Sequence, residues 1–160
     1  MATAPQTGDP AQAQPATTGP GAERDGRVPT CVVVHSQGAA RYPGKQALEF
    51  FEGISAQSAG AQGLCLHLVT IPPGGHARPH VHQDHETAVY VLSGAVEHRY
   101  GEGLRERLIL RAGDFLYIPA GMPHSPANLS QTEPASAIVA RTDSQEQESV
   151  VLRPDLEGAV

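Results

Sequence analysis

The sequence predicts an all-β fold, either a sandwich or a small barrel made of short strands. Apolar, often β-branched runs are separated by turns at roughly 8–12-residue intervals, a spacing typical of such folds. The 160 residues include 17 Gly and 14 Pro, a turn-rich composition. A helical period longer than about two turns is not apparent. The length suits one domain with a single core.

The strand pattern begins at residues 31–35, where three consecutive valines follow Cys31. The segment 44–58 is ambiguous, because its first half fits a short helix and its second half fits a strand leading to a turn. Alternation is clear from residue 64 onward. We predict further strands over 64–71, 86–94, 95–101, 104–110, 114–119, 136–142 and 149–154, with a hairpin turn at 101–103. Leu66, Leu68, Leu116 and Ile118 alternate and are expected to form an apolar wall.

Residues 1–27 hold almost no large apolar side chain, so we expect a disordered tail followed by one domain over 28–160. Cys31 and Cys65 both sit in apolar runs and are expected to be buried, reduced thiols. The N-terminus lacks the charged start and apolar stretch of a signal peptide, which favours the cytoplasm.

Charge and hydropathy exclude two classes of partner. The net charge is −6 and no basic stripe is visible, so nucleic-acid binding is not expected. A run of 18 apolar residues is absent, so we expect no membrane span. A small anionic substrate remains compatible with this charge if a local arginine or a metal ion supplies the positive field.

Histidine is concentrated in one segment, since four of the eight lie between residues 76 and 85. In a strand, His80, His82 and Glu86 would project from the same face. Two imidazoles and a carboxylate on one face are suitable ligands for a first-row divalent metal. His124 follows a tight turn and a proline that restricts the backbone, and it is the candidate fourth ligand.

Several neighbouring residues leave alternatives open. His76 and Arg78 could line the mouth of the barrel, where Arg78 could bind a carboxylate, but a solvated loop is the favoured interpretation. His85 has the opposite parity and should point away, unless a bulge turns it into a ligand. Tyr90 could point inward as an acid, base or hydrogen-bond donor, or it could be an ordinary core tyrosine. The hairpin residue His98 is expected on the solvated surface, and the late residue Arg141 is expected at the surface or at the rim of a dimer.

Two motifs resemble those of the cupin superfamily. The first is Gly, five residues, His, one residue, His, three or four residues, Glu, six residues, Gly. Gly74, His80, His82 and Glu86 fit it, and Gly94 comes one residue late. The second is Gly, five residues, Pro, one residue, Gly, two residues, His, three residues, Asn. Gly113, Pro119, Gly121, His124 and Asn128 match it without a gap.

This resemblance implies a double-stranded β-helix, or jelly-roll barrel, over about residues 28–154. It implies one divalent transition metal (Fe, Zn, Ni or Mn) held by His80, His82, Glu86 and His124, with one or two coordination positions left open. It also implies that Gly74, Gly94, Gly113 and Gly121 permit turns with positive φ. A homodimer is expected, paired through the strand at 31–35 or the carboxyl-terminal strands.

The functional prediction is a metal-dependent enzyme acting on a small polar metabolite, by oxygenase-type or Lewis-acid chemistry. Glu86 would balance charge and move a proton, with Tyr90 as a second catalytic candidate. The alternative is a metal- or ligand-binding module without catalysis. A further alternative, from similarity to the cupin half of hydrazine-forming synthetases, is a cupin that joins two nitrogens with a separate partner protein. An enzyme should enclose a cavity on the order of a few hundred Å³.

Overall fold

The computed structural model describes residues 30–35, 37, 41–145 and 149–160, so the predicted tail over 1–27 lies outside the described residues. The described residues from Val32 onward belong to one compact unit. The strands are β1 Arg41–Pro43, β2 Glu49–Ile54, β3 Cys65–Ile71, β4 His80–His82, β5 Thr87–Ser93, β6 Ala95–Tyr100, β7 Glu106–Arg111, β8 Phe115–Ile118, β9 His124–Asn128, β10 Ala135–Arg141 and β11 Val150–Leu152. The helices are α1 Ala56–Ala59 and two 3₁₀ turns, Glu102–Leu104 and Pro154–Ala159.

These strands form two antiparallel sheets. One has six strands in the order β1-β2-β3-β10-β5-β8, and the other has five in the order β11-β4-β9-β6-β7. Residues from both sheets line one internal cavity, so the sheets face each other as in a jelly-roll barrel. The predicted all-β barrel is therefore confirmed.

Strict alternation decides which side chains enter the space between the sheets. In β3, the odd-numbered positions from Cys65 to Ile71 are all buried, while the positions between them are more exposed. The inward positions of β10 follow the same rule and end at Arg141. The expected apolar wall is therefore correct for Leu116 and Ile118, which line the cavity, and wrong for Leu66 and Leu68.

The strands predicted from residue 64 onward are all present, with shifts of one or two residues at their ends. Residues 31–35 differ from the prediction. Within the described residues they form neither helix nor strand, Val33 is 73% exposed, and Cys31 is exposed rather than buried. β propensity alone does not make a strand, because the backbone also needs a neighbouring strand for its hydrogen bonds. Cys65, by contrast, is fully buried as predicted.

The ambiguous segment resolves into a strand followed by one helical turn. Ser55 caps α1 by accepting hydrogen bonds from the backbone N–H groups of Gln57 and Ser58, and Gly60 ends it in the left-handed conformation. No helix in the described ranges has the length and apolar character needed to cross a membrane.

Glycine at the β5–β6 turn is required by both conformation and space. Gly94 has φ of 80°, and a Cβ added there would lie 2.9 Å from the Cβ of Ala135. Gly74, Gly113 and Gly121 also have positive φ, so the expectation for these four turn glycines is confirmed. The tight turn at Gly94 fixes where β5 ends and β6 begins, and thus which residues of both strands face inward.

Candidate metal centre

Three imidazoles converge inside the barrel. His80 and His82 are the two ends of β4, and His124 is the first residue of β9. β4 and β9 are neighbours in the five-stranded sheet, and His80 pairs directly with His124. One candidate ligand atom from each histidine lies within 4.8 Å of the others, and the ring centroids of His80 and His124 are 4.2 Å apart. Each histidine is no more than 3% exposed.

Backbone carbonyls orient two of these rings. Nδ1 of His80 lies 2.8 Å from the carbonyl oxygen of Arg78, and Nδ1 of His124 lies 2.8 Å from that of Met122. A carbonyl only accepts hydrogen bonds, so each Nδ1 carries the proton and donates it. The lone pair is then on Nε2, which is the arrangement a metal ligand needs.

His82 has the strongest signature of a ligand-binding role. Among the described residues, neither of its ring nitrogens has a hydrogen-bond partner, although both are buried. Leaving a buried polar group unpaired costs about 1–3 kcal/mol. A metal ion held between the three imidazoles would satisfy one of these nitrogens, so the donor set fits a divalent transition metal.

Burial keeps the three rings in the neutral form that binds metals. Desolvation, together with the nearby charge of Arg141, holds the pKa of His82 far below its usual range. Burial likewise lowers the pKa of His80, and it lowers that of His124 to about 4. All three are therefore neutral at pH 7, and a metal ion would not have to displace protons from them.

The structure does not bring Glu86 to the imidazoles. β4 ends at His82, residues 83 and 84 form a bend, and β5 begins only at Thr87. The expected common face of His80, His82 and Glu86 assumed one continuous strand, which this break removes. Glu86 is exposed, and its Oε1 accepts a hydrogen bond from the Tyr117 hydroxyl at 2.6 Å. Its backbone N–H donates to Oγ1 of Thr142.

Tyr90 lies on the outer face of its sheet, which fits neither the interpretation as an inward-pointing catalytic residue nor that as an ordinary core tyrosine. Val89 and Val91 line the cavity, so the residue between them faces the other way. Its ring packs on Phe115, with centroids 4.6 Å apart, and Phe115 is 80% exposed. The structure therefore places Tyr90 away from the three imidazoles.

The other histidines of the segment lie outside the centre. His76 is exposed, and Arg78 forms a surface ion pair with Glu157 at 2.7 Å. These positions match the favoured interpretation of a solvated loop. His85 is half-buried, and its Nδ1 bonds to the carbonyl of Thr142 at 2.9 Å, so it is not among the converging imidazoles.

His98 is buried, although its place in a charged hairpin predicted a surface position. It is 4% exposed, lines the cavity, and stacks on His124 with ring centroids 5.3 Å apart. Burial lowers its pKa to about 3, so it is a neutral imidazole beside the three others. Its parity with buried Val96 in β6 was the signal that could have revealed it.

Arg141 is the second residue placed wrongly by the sequence, which predicted a charge at the surface or at a dimer rim. It is 5% exposed, occupies the last inward position of β10, and lines the cavity. Its Nη1 donates a hydrogen bond to Nε2 of His67 at 3.2 Å. Burial lowers its pKa to about 10, so it stays cationic at pH 7. Desolvation and this charge lower the pKa of His67 to about 3.

The cavity beside the imidazoles is small and mostly apolar. Its volume is about 70 Å³, smaller than the expected few hundred. It has room for roughly five water molecules. His80, His98, His124, Arg141 and Gln46 are its polar wall residues, and the rest is formed by Val, Leu, Ile, Phe, Pro and Ala.

Two facing antiparallel sheets with convergent imidazoles between them define a cupin-type barrel. The sequence profile described as "Cupin domain" matches residues 67–141, which include all three histidines. This match covers just under half of the chain and supports a member of the cupin family. It is 37% identical over 84 residues to germin-like protein 3-1 of Oryza sativa subsp. japonica. That match covers 51% of this chain and 37% of the relative, so the chain matches little more than a third of the length of that protein.

Solved structures with the same fold are less similar in sequence. Oxalate decarboxylase from Bacillus subtilis gives a TM-score of 0.65 at 19% identity, over 81% of this chain and 34% of that one. Oxalate oxidase in complex with the substrate analogue glycolate gives a TM-score of 0.60 at 22% identity, over 74% of this chain and 61% of that one. The polyketide cyclase RemF from Streptomyces resistomycificus gives a TM-score of 0.62 at 20% identity, over 80% of this chain and 91% of that one. At these identities the likeness establishes the fold alone.

Proposed function

We propose that this chain is a metal-dependent enzyme that acts on a small polar metabolite, with the metal ion held by His80, His82 and His124. The observation that carries the proposal is the convergence of three buried, neutral imidazoles. His80 and His124 line an internal cavity, and both ring nitrogens of His82 lack a hydrogen-bond partner among the described residues. A divalent Fe, Zn, Ni or Mn ion there would act as a Lewis acid or, as Fe(II), support oxygen chemistry.

The chain's own residues supply binding, orientation and exclusion of water. The Arg141 guanidinium is a buried cation on the cavity wall and can orient an anionic oxygen of the substrate. Neutral His98 can donate a hydrogen bond at the side of His124. The mostly apolar walls and the small volume limit the water at the site to a few molecules, which strengthens both interactions. The cavity volume limits the substrate to a few non-hydrogen atoms unless the walls move.

The cavity volume also supports a second candidate function. At about 70 Å³ it is well below the range of typical ligand pockets, which favours a module that binds metal without catalysis. The enzyme and the binding module would both hold the same metal ion, but only the enzyme would convert a substrate.

The experiment is to load the protein with each of the four metals and incubate it with a panel of small hydroxy, keto and dicarboxylic acids. Conversion is followed by NMR, in air and under nitrogen. We expect conversion that requires the metal, disappears in His82→Ala and persists in His76→Ala, whose residue is exposed. Conversion by the metal-free protein would contradict the proposal. Full metal binding without conversion of any acid would instead favour the binding module.

We also propose a homodimer, paired through the outer face of the edge strand β8. Residues 31–35, expected to contribute, form no strand within the described chain, whereas Phe115 and Tyr117 of β8 are 80% and 61% exposed. Large apolar side chains on an edge strand favour pairing with another molecule. We expect light scattering after gel filtration to give twice the chain mass, and Phe115→Asp to lower it to that of a monomer.

A control for the dimer is Leu129→Asp, since Leu129 is 46% exposed but follows β9 on the other sheet. That variant should keep the dimer mass. A wild-type protein that is monomeric at micromolar concentration, or a Phe115→Asp variant that stays dimeric, would refute this interface.

A further inference from the structure

We propose that Thr87, and not Glu86, is the fourth inward-facing residue of the metal centre, so that the protein offers only neutral ligands and the negative charge must come from a small anionic substrate. This inference rests on the proposed metal-binding function and assigns its ligand charge and substrate class.

Strand register places Thr87 inside the barrel. Thr87 begins β5 and has the same parity as Val89 and Val91, which line the cavity. It is 2% exposed. Its direct neighbours across the sheet are Ile118 and Arg141, both on the cavity wall. Arg141 lines the same cavity as His80 and His124, and its charge contributes to lowering the pKa of all three histidines. Thr87 is thus next to a residue that faces the imidazoles.

The hydroxyl of Thr87 is unsatisfied within the described chain. Its Oγ1 is buried and has no hydrogen-bond partner among the described residues, which is also true of both ring nitrogens of His82. Buried hydroxyl groups are normally paired, so each exception calls for an explanation. A metal ion, or a ligand bound to one, would provide a partner for both side chains.

Glu86 is held on the opposite face. Its carboxylate is exposed and bonded to the Tyr117 hydroxyl at 2.6 Å, and its N–H is bonded to Thr142. Because successive residues of a strand alternate between faces, burial of Thr87 at the start of β5 directs Glu86 outward. Bringing Glu86 to the imidazoles would require a register shift that also exposes Thr87 and buries Ala88.

The motif spacing agrees with this register. The pattern allows four residues between the second histidine and the acidic position, followed by six residues and a glycine. Four residues (83–86) separate Thr87 from His82, and six residues (88–93) separate it from Gly94, so both spacings lead to Thr87. The one-residue delay of Gly94 then disappears. The sequence therefore has threonine at the acidic position, and Glu86 is its outward-facing neighbour.

Charge then determines the substrate class. Among the described residues, three neutral imidazoles and a hydroxyl provide a divalent ion with no compensating negative charge, and Arg141 adds a positive charge to the same cavity. In a water-excluded site, uncompensated positive charge strongly favours an anionic ligand. A small carboxylate or enolate fits both the charge and the cavity of about 70 Å³.

The test uses Co(II) as a spectroscopic probe of the metal ligands and azide as a probe of anion binding. In Glu86→Gln we expect Co(II) absorption and affinity to match the wild type within about twofold. In Thr87→Glu, the added carboxylate should change the Co(II) spectrum, raise the Co(II) affinity by at least tenfold and weaken azide binding by at least tenfold.

A change of spectrum, or a tenfold loss of Co(II) affinity, in Glu86→Gln would overturn the proposal, and so would a Thr87→Glu variant with wild-type spectrum and azide affinity. If Thr87→Glu does not fold, the proposal is tested by Glu86→Gln together with Thr87→Val, which removes the hydroxyl. Removing an unpaired hydroxyl should leave the melting temperature of the metal-free protein unchanged or higher, whereas a drop of several degrees would show that the hydroxyl is already paired within the chain. Failure of the wild type to bind Co(II) would refute the proposed function itself.

Discussion

Replacing His82 with alanine should abolish the stabilisation of this protein by divalent metal. A ligand present at 100 times its Kd adds about 2.7 kcal/mol to the free energy of unfolding. For a domain of this size, that raises the melting temperature by roughly 5–10 °C. His82 holds two buried nitrogens without partners among the described residues, so its loss removes the strongest candidate ligand. We expect the metal-induced rise in melting temperature to fall below about 2 °C.

The measurement is calorimetry with and without excess Zn(II), after removal of metal with a chelator. His76→Ala is the matched control, because His76 belongs to the same segment but is exposed and outside the converging group. It should keep the full rise. Equal metal-induced rises in His82→Ala and the wild type would show that the stabilising ion is bound elsewhere.

The metal-free protein should unfold in acid at a clearly higher pH than most small domains do. Burial lowers the folded-state pKa of His67 and His98 to about 3 and that of His124 to about 4. In the unfolded chain a histidine has a pKa near 6.5. Between these values the unfolded state binds more protons, so the free energy of unfolding falls as the pH falls.

The size of this effect is comparable to the whole stability of a domain. Each such histidine costs about 1.4 kcal/mol per pH unit below 6.5, so three of them cost roughly 8 kcal/mol at pH 4.5. Total stabilities are typically about 5–15 kcal/mol. The contribution is fully present above pH 6.5 and is lost progressively toward pH 4. We therefore expect the metal-free protein to unfold between about pH 6 and pH 4.5 at 25 °C.

Urea titrations at a series of pH values measure this dependence directly. His98→Gln should reduce the slope of unfolding free energy against pH by close to one proton, since it removes one buried imidazole, while His76→Ala should leave the slope unchanged. A metal-free wild type with the same unfolding free energy at pH 7 and pH 5 would contradict the assignment of the buried histidines as neutral.

The barrel and the meeting of three histidines could be predicted because they depend on local patterns. Alternation from residue 64 onward specifies strands, and two motifs bring His80, His82 and His124 to adjacent strands. The segment 31–35 was predicted wrongly because its β-branched residues indicate propensity, whereas a strand also needs a partner that the sequence does not identify.

The face of Glu86 could not be derived from parity alone, because a bend at residues 83 and 84 resets the alternation between β4 and β5. His98 and Arg141 were placed at the surface because their side chains are polar or charged, yet each shares its parity with buried apolar neighbours in the same strand. In both cases the alternation of the strand predicts the inward side more reliably than the polarity of the side chain does. Their closeness to the three imidazoles depends on the pairing of distant strands, which the sequence does not specify.

Anomalous diffraction from crystals grown with Zn(II), with data collected on both sides of the zinc absorption edge, tests the metal centre most directly. We predict one strong peak per chain, inside the barrel, about 2.0–2.1 Å from one ring nitrogen each of His80, His82 and His124. A peak bound only by exposed carboxylates or by His76 or His85, with none among those three rings, would contradict the account.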